Sequence, residues 1–476
     1  MWLQALILVP LLAAALAFVI PSERWRPLVL VPAAATHLGL ALAAVASPGE
    51  GAFEGWLRLD PPGRLVLLLV SVLFALCAVY TVGYLRLRSE LRNRVFVSCL
   101  LLFLAMASLV VCSQHLGIMW VAIEATTLAT APLIYFNRTP RSIEATWKYL
   151  LVCSVGIAIA LLGSFFLAYA SLGQGSSLLF DDLLQRAGGL NRVWLQAAFV
   201  LLLVGYGTKM GLAPMHTWKP DAYGEAPGVV GALLAGGLTN CAFLAILRVF
   251  HLCQAAGAGA YASRLLVVFG LLSIALGAVF VLGQRDFKRM LAYSSIEHMG
   301  ILVLGVGIGG LALTGALFHM VNNGLTKGVL FLSAANIHRA YDSKSSDRVR
   351  GAMRRLPLSG TLFLLGFFAI TGSPPFGPFV SEFMIVSGAF AAQRYLLGAG
   401  FLLLLLVVFM GMGRNVLAVV QGRPSEAAEA TPYRDGWLTG FPALVSLGLV
   451  LLLGLQMPAS FHALLSQAAA FFGVGR

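Results

Sequence analysis

The sequence predicts an all-α, polytopic membrane protein of about fourteen transmembrane helices, arranged as two inverted five-helix repeats with two broken helices. Three observations carry this expectation. The 476 residues are 59% hydrophobic and 11% charged, with a mean hydropathy of +0.89, far outside the soluble globular range. Fourteen apolar stretches recur along the chain, most close to the roughly 20 residues that span the hydrocarbon core of a bilayer. Two of those stretches, five apart in order, are interrupted by glycine and proline.

In chain order the stretches run roughly 2–20, 28–46, 65–84, 95–113, 116–136, 149–171, 195–215, 228–250, 265–283, 290–309, 311–336, 361–390, 397–413 and 438–456. The first carries small residues at Ala13–Ala17, as a signal peptide would, yet no Lys or Arg precedes it and Arg24 and Arg26 follow. A cleaved signal needs the opposite arrangement, so it reads as a spanning helix. In the seventh stretch Gly205, Gly207, Gly211 and Pro214 surround Lys209; in the twelfth, Thr371-Gly-Ser-Pro-Pro-Phe-Gly-Pro378 breaks the run just before Glu382. Proline removes a backbone donor and clashes with the preceding turn. Such breaks survive at membrane depth only inside protein or around water. A five-helix unit repeated in tandem must be inverted, because five is odd, and matching breaks in inverted halves point to a transport site in each. The expected organisation is flanking helices 1–3 (1–94), a first repeat of helices 4–8 (95–250), a second of helices 9–13 (251–420), and helix 14 with its tail (421–476). The longest connections hold only about 25 residues, too few for a soluble domain. The roughly 20 residues after the last stretch are too few for a long lateral helix.

Of 32 Lys and Arg, 30 fall in connections or at the edges of stretches. The odd-numbered connections hold 22 of these and the even-numbered ones with the C-terminal tail hold 8. That bias places the odd connections in the cytoplasm of a bacterial-type inner membrane and both termini outside. The net charge of +13 is therefore a topology signal, and its spread over many short loops argues against nucleic-acid binding. The six cysteines stand singly with no C-x-x-C, so neither an iron–sulfur cluster nor a zinc site is suggested. The string Gly305, Gly307, Gly309, Gly310 ends an apolar stretch with no strand before it, a poor dinucleotide fingerprint. The chain is expected to bind no metal or redox cofactor, and any electrons would belong to a partner.

Two basic residues remain, Lys209 and Lys327, and two acids, Glu124 and Glu382, are embedded in the same way. Ionisable groups at membrane depth are costly and mark ion or proton pathways. A lysine ammonium titrates near 10.4 in water, too high for release at neutral pH; desolvation and a nearby carboxylate then act on it in opposite directions. A lysine whose acidic partner moves or is neutralised is a switchable proton carrier, and Glu124 is the candidate partner of Lys209. The competing reading is a static ion pair that fixes packing, which burial makes expensive. His319, Asn323 and Lys327 are spaced i, i+4, i+8, one polar stripe on a helix face. Histidine titrates near neutrality, so the stripe can relay protons, although a lone buried histidine is more often structural. His298 joins the candidates, with Glu297 beside it as a relay or inlet group, and Glu382 as the end of a second path. His216 either lines an exit or caps the broken helix. Glu144 and Lys148 form an i, i+4 pair whose plain reading is an interfacial ion pair.

Several motifs together resemble a known family. Trp120-Val-Ala-Ile-Glu124, Glu144-Ala-Thr-Trp-Lys148, Gly205-Tyr-Gly-Thr-Lys209-Met-Gly-Leu-Ala-Pro214-Met-His-Thr-Trp218, Pro220-Asp-Ala-Tyr-Gly-Glu225 and Asp286-Phe-Lys-Arg-Met-Leu-Ala-Tyr-Ser-Ser-Ile-Glu-His298 resemble the antiporter-like proton-translocating subunits shared by respiratory complex I, Mrp cation antiporters and group 4 membrane-bound hydrogenases. The resemblance covers roughly 95–390 and in detail is strongest to the F-type membrane subunit of hydrogenase-4 and related formate hydrogenlyases. It implies a fourteen-helix core and a central polar axis. It matches Glu124 and Lys209 to the family's glutamate–lysine pair, His298 and Lys327 to axis positions, and Glu382 to the charged residue after the second break. Without a long lateral helix the chain departs from the complex I subunit that carries one. Asn240 stands where many complex I relatives have a lysine linking the halves, and Tyr223-Gly224 replaces the His-Ser usual in that loop. The implied function is a proton-translocating membrane subunit of a multisubunit oxidoreductase, with other membrane and soluble subunits as partners. The alternatives are a secondary Na⁺(K⁺)/H⁺ antiporter subunit, a proton-conducting partner of an inorganic-carbon uptake protein, or a structural anchor for a hydrogenase, which the embedded charges disfavour.

Overall fold

In the computed structural model, which describes residues 2–47, 51–172 and 177–474, the chain is helical throughout, with only isolated bridges between loops. The helices that matter are α1 (Trp2–Val19), α2 (Leu30–Ala46), α3 (Pro61–Arg86), α4 (Arg94–Cys112), α5 (Leu116–Ile134), α6 (Pro140–Ala170), α7 (Arg192–Met210), α8 (Trp218–Glu225) and α9 (Gly228–Ala255). They continue with α10 (Gly259–Leu282), α11 (Phe287–Ile308), α12 (Gly310–Tyr341), α13 (Pro357–Ile370), α14 (Gly377–Ala391), α15 (Tyr395–Val420), α16 (Trp437–Leu455) and α17 (Ala459–Phe471).

Twelve helices among the described residues are long and apolar enough to cross a membrane. The two further expected crossings differ for physical reasons. Helix α12 has 32 residues, about 48 Å at 1.5 Å per residue, but its polar stripe dilutes its hydropathy. The twelfth crossing is the broken pair α13 and α14, each too short to span alone.

Helix starts follow local chemistry. Asp60 accepts from Gly63 N at the start of α3, Thr139 from Ser142 N at α6, Asn191 from Val193 N at α7, and Asp286 from Lys288 N at α11; each satisfies an orphan N–H of the first turn. Pro61 and Pro140 occupy first helical positions, where a missing N–H costs nothing. The first break begins at Gly211, whose φ of +81° favours glycine, and Trp218 Nε1 donates to the freed Thr208 carbonyl at 2.9 Å. The second begins at Gly372, with φ +65°. At the first break a protein group thus takes up a backbone acceptor at the helix end.

Helices α9, α11 and α12 form the interior, nearly all their residues buried, while α1, α6, α10 and α15 expose Leu12, Leu151, Val279 and Leu403 to the lipid position. Between lipid-embedded helices packing, rather than water exclusion, supplies the attraction, so small residues mark the tightest crossings. Gly270 of α10 and Gly300 of α11 show this: a Cβ on either would lie within 3 Å of the other's carbonyl oxygen.

The connections gather at two ends. Leu57, Ser113, His115 and Leu179 bridge one another at the even-numbered end, where α17 also meets Arg64 of α3. At the odd-numbered end Asp286 bridges Ser345, Lys344 binds Glu225, and Arg355 binds the carbonyls of Ala428 and Tyr433.

Candidate functional site

Lys209 occupies the last turn of α7, against the break. Its Nζ donates to Thr127 Oγ1 at 2.6 Å and to Tyr149 Oη at 2.8 Å, and stands 4.7 Å from the centroid of that tyrosine ring. The expected direct partnership with Glu124 takes a different form. Glu124 is only half-buried on α5, and no ion pair joins it to Lys209. Thr127, one turn further along α5, faces inward and donates to Glu124 Oε2 at 2.9 Å. The carboxylate and the ammonium are therefore joined through one hydroxyl, which accepts from lysine and donates to glutamate.

A second cluster lies around α11, α12 and α14. Lys327 Nζ donates to Ser294 Oγ at 2.8 Å and to the Leu291 carbonyl at 3.3 Å. His298 Nδ1 and His319 Nε2 are 2.9 Å apart, and His319 Nδ1 is 2.9 Å from Ser381 Oγ. Ser381 Oγ donates to the Pro378 carbonyl, so it accepts from His319 Nδ1–H. His319 Nε2 then accepts from His298 Nδ1–H. That leaves a lone pair on His298 Nε2, 3.7 Å from Glu297 Oε2. Glu382 is buried, and a Cβ on Gly372 would collide with its carboxylate, so the second break makes room for this acid.

His298, His319 and Glu382 bring one ligand atom each to within 4.8 Å of the others. These are metal-ligand types, but a bound zinc would need free lone pairs about 2.0–2.2 Å from one point. Here His298 Nδ1 and His319 Nε2 share a hydrogen bond with each other.

In and around the clusters are buried polar atoms with no protein partner. Asn240 follows a π-helical turn, Leu234–Leu238, in α9; its Nδ2 donates to the Gly236 carbonyl at 2.9 Å while its Oδ1 has none. Neither amide atom of Asn323 has a protein partner, although the side chain is fully buried between His319 and Lys327. Glu297 Oε2 and Glu382 Oε1 also lack one. Buried polar atoms of this kind are normally satisfied by ordered water.

The remaining candidates lie apart. His216 sits in the first break with Nδ1 unpartnered and joins neither cluster. Lys148 pairs with Glu144 at 2.7 Å and with Asp221 at 3.1 Å, on a largely exposed extension of α6 beyond its expected start. Sequence reasoning missed Thr127, Tyr149, Ser294 and Ser381, all of which touch a candidate. It also placed Lys219 in a connection, whereas the short helix α8 folds back between α6 and α11 and buries Lys219 completely. The tally of two interior basic residues is corrected accordingly, and Arg26, Arg248 and Lys288 are buried as well. The usable signal for Lys219 was its position between Trp218 and Pro220, inside the same motif as Lys209.

Residues 113–409 match the family described as NADH:quinone oxidoreductase/Mrp antiporter, transmembrane. The hydrogenase-4 component F homolog of Methylacidiphilum infernorum is 37% identical over 342 residues, covering 70% of this chain and 71% of that protein. NADH-quinone oxidoreductase subunit 14 of Thermus thermophilus is 32% identical over 441 residues, covering 89% and 92%. A chain of the membrane-bound sulfane sulfur reductase, an archaeal respiratory membrane complex, superposes with a TM-score of 0.89 at 21% identity over 99% of this chain and 98% of that one, a likeness of fold.

Proposed function

This chain belongs to the NADH:quinone oxidoreductase/Mrp antiporter transmembrane family, and we propose that it is the proton-translocating membrane subunit of a multisubunit oxidoreductase of hydrogenase-4 or NADH:quinone oxidoreductase type. One observation supports this most strongly. Lys209 and Lys327 are fully buried, yet among the described residues neither forms an ion pair; hydroxyls and a carbonyl hold them instead. A lysine kept for packing would be paired with a carboxylate, because an uncompensated buried charge is destabilising. A lysine held by hydroxyls can be charged or neutral, and hydroxyls pass protons on.

In this reading a partner subunit alters the Glu124 side. Thr127 gives its proton to Glu124 and receives one from Lys209, and the change passes by way of water at Asn240 and Asn323 to Lys327, His298, His319 and Glu382. The chain itself holds no redox cofactor, and its electrons stay in partner subunits. Moving one charge across the membrane is worth roughly 2.3 kcal/mol per 100 mV, within reach of modest changes in proton affinity at about 1.4 kcal/mol per pKa unit. Helices α4–α9 and α10–α15 act as inverted repeats, with boundaries near 95–250 and 251–420. The basic bias puts the odd-numbered end in the cytoplasm of a bacterial-type inner membrane and both termini outside. A cavity of ≈ 690 Å³ at the odd-numbered end, lined by Arg141, Glu225, Lys288 and His338 among others, is then the inlet.

Thr127→Val keeps the shape of the side chain and removes the hydroxyl. In inverted membrane vesicles read with a pH-sensitive dye, it is expected to lower protons moved per electron by about tenfold, while Thr127→Ser retains them. Pumping by Thr127→Val at the native level would remove the hydroxyl from the path.

The experiment that tests the whole reading is gentle purification of the tagged native protein, with partners identified and iron, nickel, zinc and flavin quantified. Iron with nickel places it in a hydrogenase-type complex, and iron with flavin in an NADH-dehydrogenase-type one. Recovery alone, or with a single zinc protein, removes the redox reading. Because the family includes Mrp antiporters, donor-independent proton flux that requires Na⁺ or K⁺ would replace it with ion exchange.

A further inference from the structure

The buried basic residues fall into two kinds. Arg248 binds both oxygens of Asp60, at 2.8 and 2.9 Å, and the carbonyls of Val110, Val111 and Ser113. Its donors are all engaged by strong acceptors. Lys219 is the opposite case. It is 0% exposed, it forms no ion pair among the described residues, and its one protein acceptor is Ser295 Oγ at 3.2 Å. An ammonium has three donors, so two are left for water. The ring centroid of Tyr223 lies 5.8 Å from Nζ, and its Oη has no protein partner.

Its position lies between the two clusters. The side chain passes across Gly211, two residues beyond Lys209: a Cβ there would meet Lys219 Cε at 2.5 Å and Nζ at 2.8 Å. Its acceptor, Ser295, is the immediate neighbour of Ser294, which holds Lys327. Asn240, the polar residue that the central helix α9 offers beside its π-helical turn, spends its amide on Gly236 and takes up no proton.

We propose that Lys219 is a proton carrier, passing protons between Lys209 and Lys327, a transfer for which Asn240 of α9 offers only an amide. This rests on the function proposed above. In each transfer Lys219 Nζ receives a proton by way of water from the Lys209 side and becomes an ammonium. It then releases one toward Ser295 and water to Lys327 and returns to the neutral amine. One proton moves, no electron is exchanged, and no bond to carbon changes.

The test uses the complete complex in inverted membrane vesicles, with NADH, formate and hydrogen offered in turn as donor, proton uptake read by dye quenching and assembly by native gel. Lys219→Met and Lys219→Arg are both expected to assemble and to lower protons per electron by about tenfold or more. Arginine is decisive, because it keeps the charge and the stem but does not release its proton at neutral pH. Native-level pumping by Lys219→Arg overturns the proposal, since a fixed cation would then suffice; native-level pumping by Lys219→Met does so too. Should Lys219→Met fail to assemble, the arginine variant alone decides. Lys209→Met is run alongside. If Lys209→Met is dead and Lys219→Arg pumps, only the Lys219 assignment fails. If the native complex pumps with none of the donors, the function itself fails, and this assignment with it.

Discussion

Replacing Lys209 by Met is expected to abolish proton pumping while the protein still inserts and assembles. Lys209 donates to Thr127 and Tyr149 and has no carboxylate contact to lose. Met matches the stem in volume and removes the cost of a buried cation, so the folded state is expected to be as stable as the native one or more so. Thr127 and Tyr149 keep other partners, Glu124 and Thr130 respectively. The path loses its amine between Glu124 and the first break, and neither hydroxyl can take its place by taking up and releasing a net proton at neutral pH. Protons moved per electron, measured by dye quenching in inverted vesicles, are expected to fall by about tenfold or more. Native-gel assembly is expected to stay unchanged, and thermal stability in detergent to match or exceed the native value. Full pumping by this variant would sink the proposed function, whereas loss of assembly would mean that the ammonium holds the helices together.

Much of the architecture could be read without coordinates, because a bilayer leaves few solutions. Stretch lengths and the Gly and Pro clusters at Gly211 and Thr371–Pro378 located the crossings and both breaks, although α6 starts at Pro140, well before its apolar stretch, and α15 runs on to Val420. The His319, Asn323, Lys327 stripe followed from helical period alone, and all three are buried on α12. What escaped depends on tertiary placement. Threonine in an apolar helix ordinarily bonds back to its own carbonyls, as Thr126 and Thr130 do here; nothing in the sequence distinguishes Thr127, whose hydroxyl is 2.9 Å from Glu124 Oε2 and only 3.5 Å from the Ile123 carbonyl. His298 and His319 were separate candidates whose contact arises only when α11 packs on α12. Lys219 was hidden by its flanking Pro214 and Pro220, which read as a loop, while the chain re-enters the bundle as α8.

Arg248→Met is expected to do the reverse of Lys209→Met. Asp60 and Arg248 lie 188 residues apart and are both buried. Together they tie three elements at the even-numbered end: Asp60 accepts from Gly63 N to cap α3, and Arg248, near the end of α9, caps the carbonyls at the end of α4. Removing the guanidinium leaves a buried carboxylate without its counter-charge and frees the carbonyls of Val110, Val111 and Ser113, a loss of roughly 3–5 kcal/mol. The expected result is a lower melting temperature in detergent and little assembled protein, with any pumping lost in proportion to that protein rather than per complex. Removing both partners, as Arg248→Met with Asp60→Asn, should recover part of the stability, because no uncompensated charge remains and asparagine can still cap α3. A single Arg248→Met variant as stable as the native protein would show that the pair is dispensable. The two variants each remove a buried cation from the same interior, and what separates their outcomes is the group itself, since a guanidinium does not release its proton at neutral pH, together with the partner that holds it. A cation bound bidentately by a carboxylate and by carbonyls is fixed in charge and holds the fold, while a cation held by hydroxyls can give its proton away.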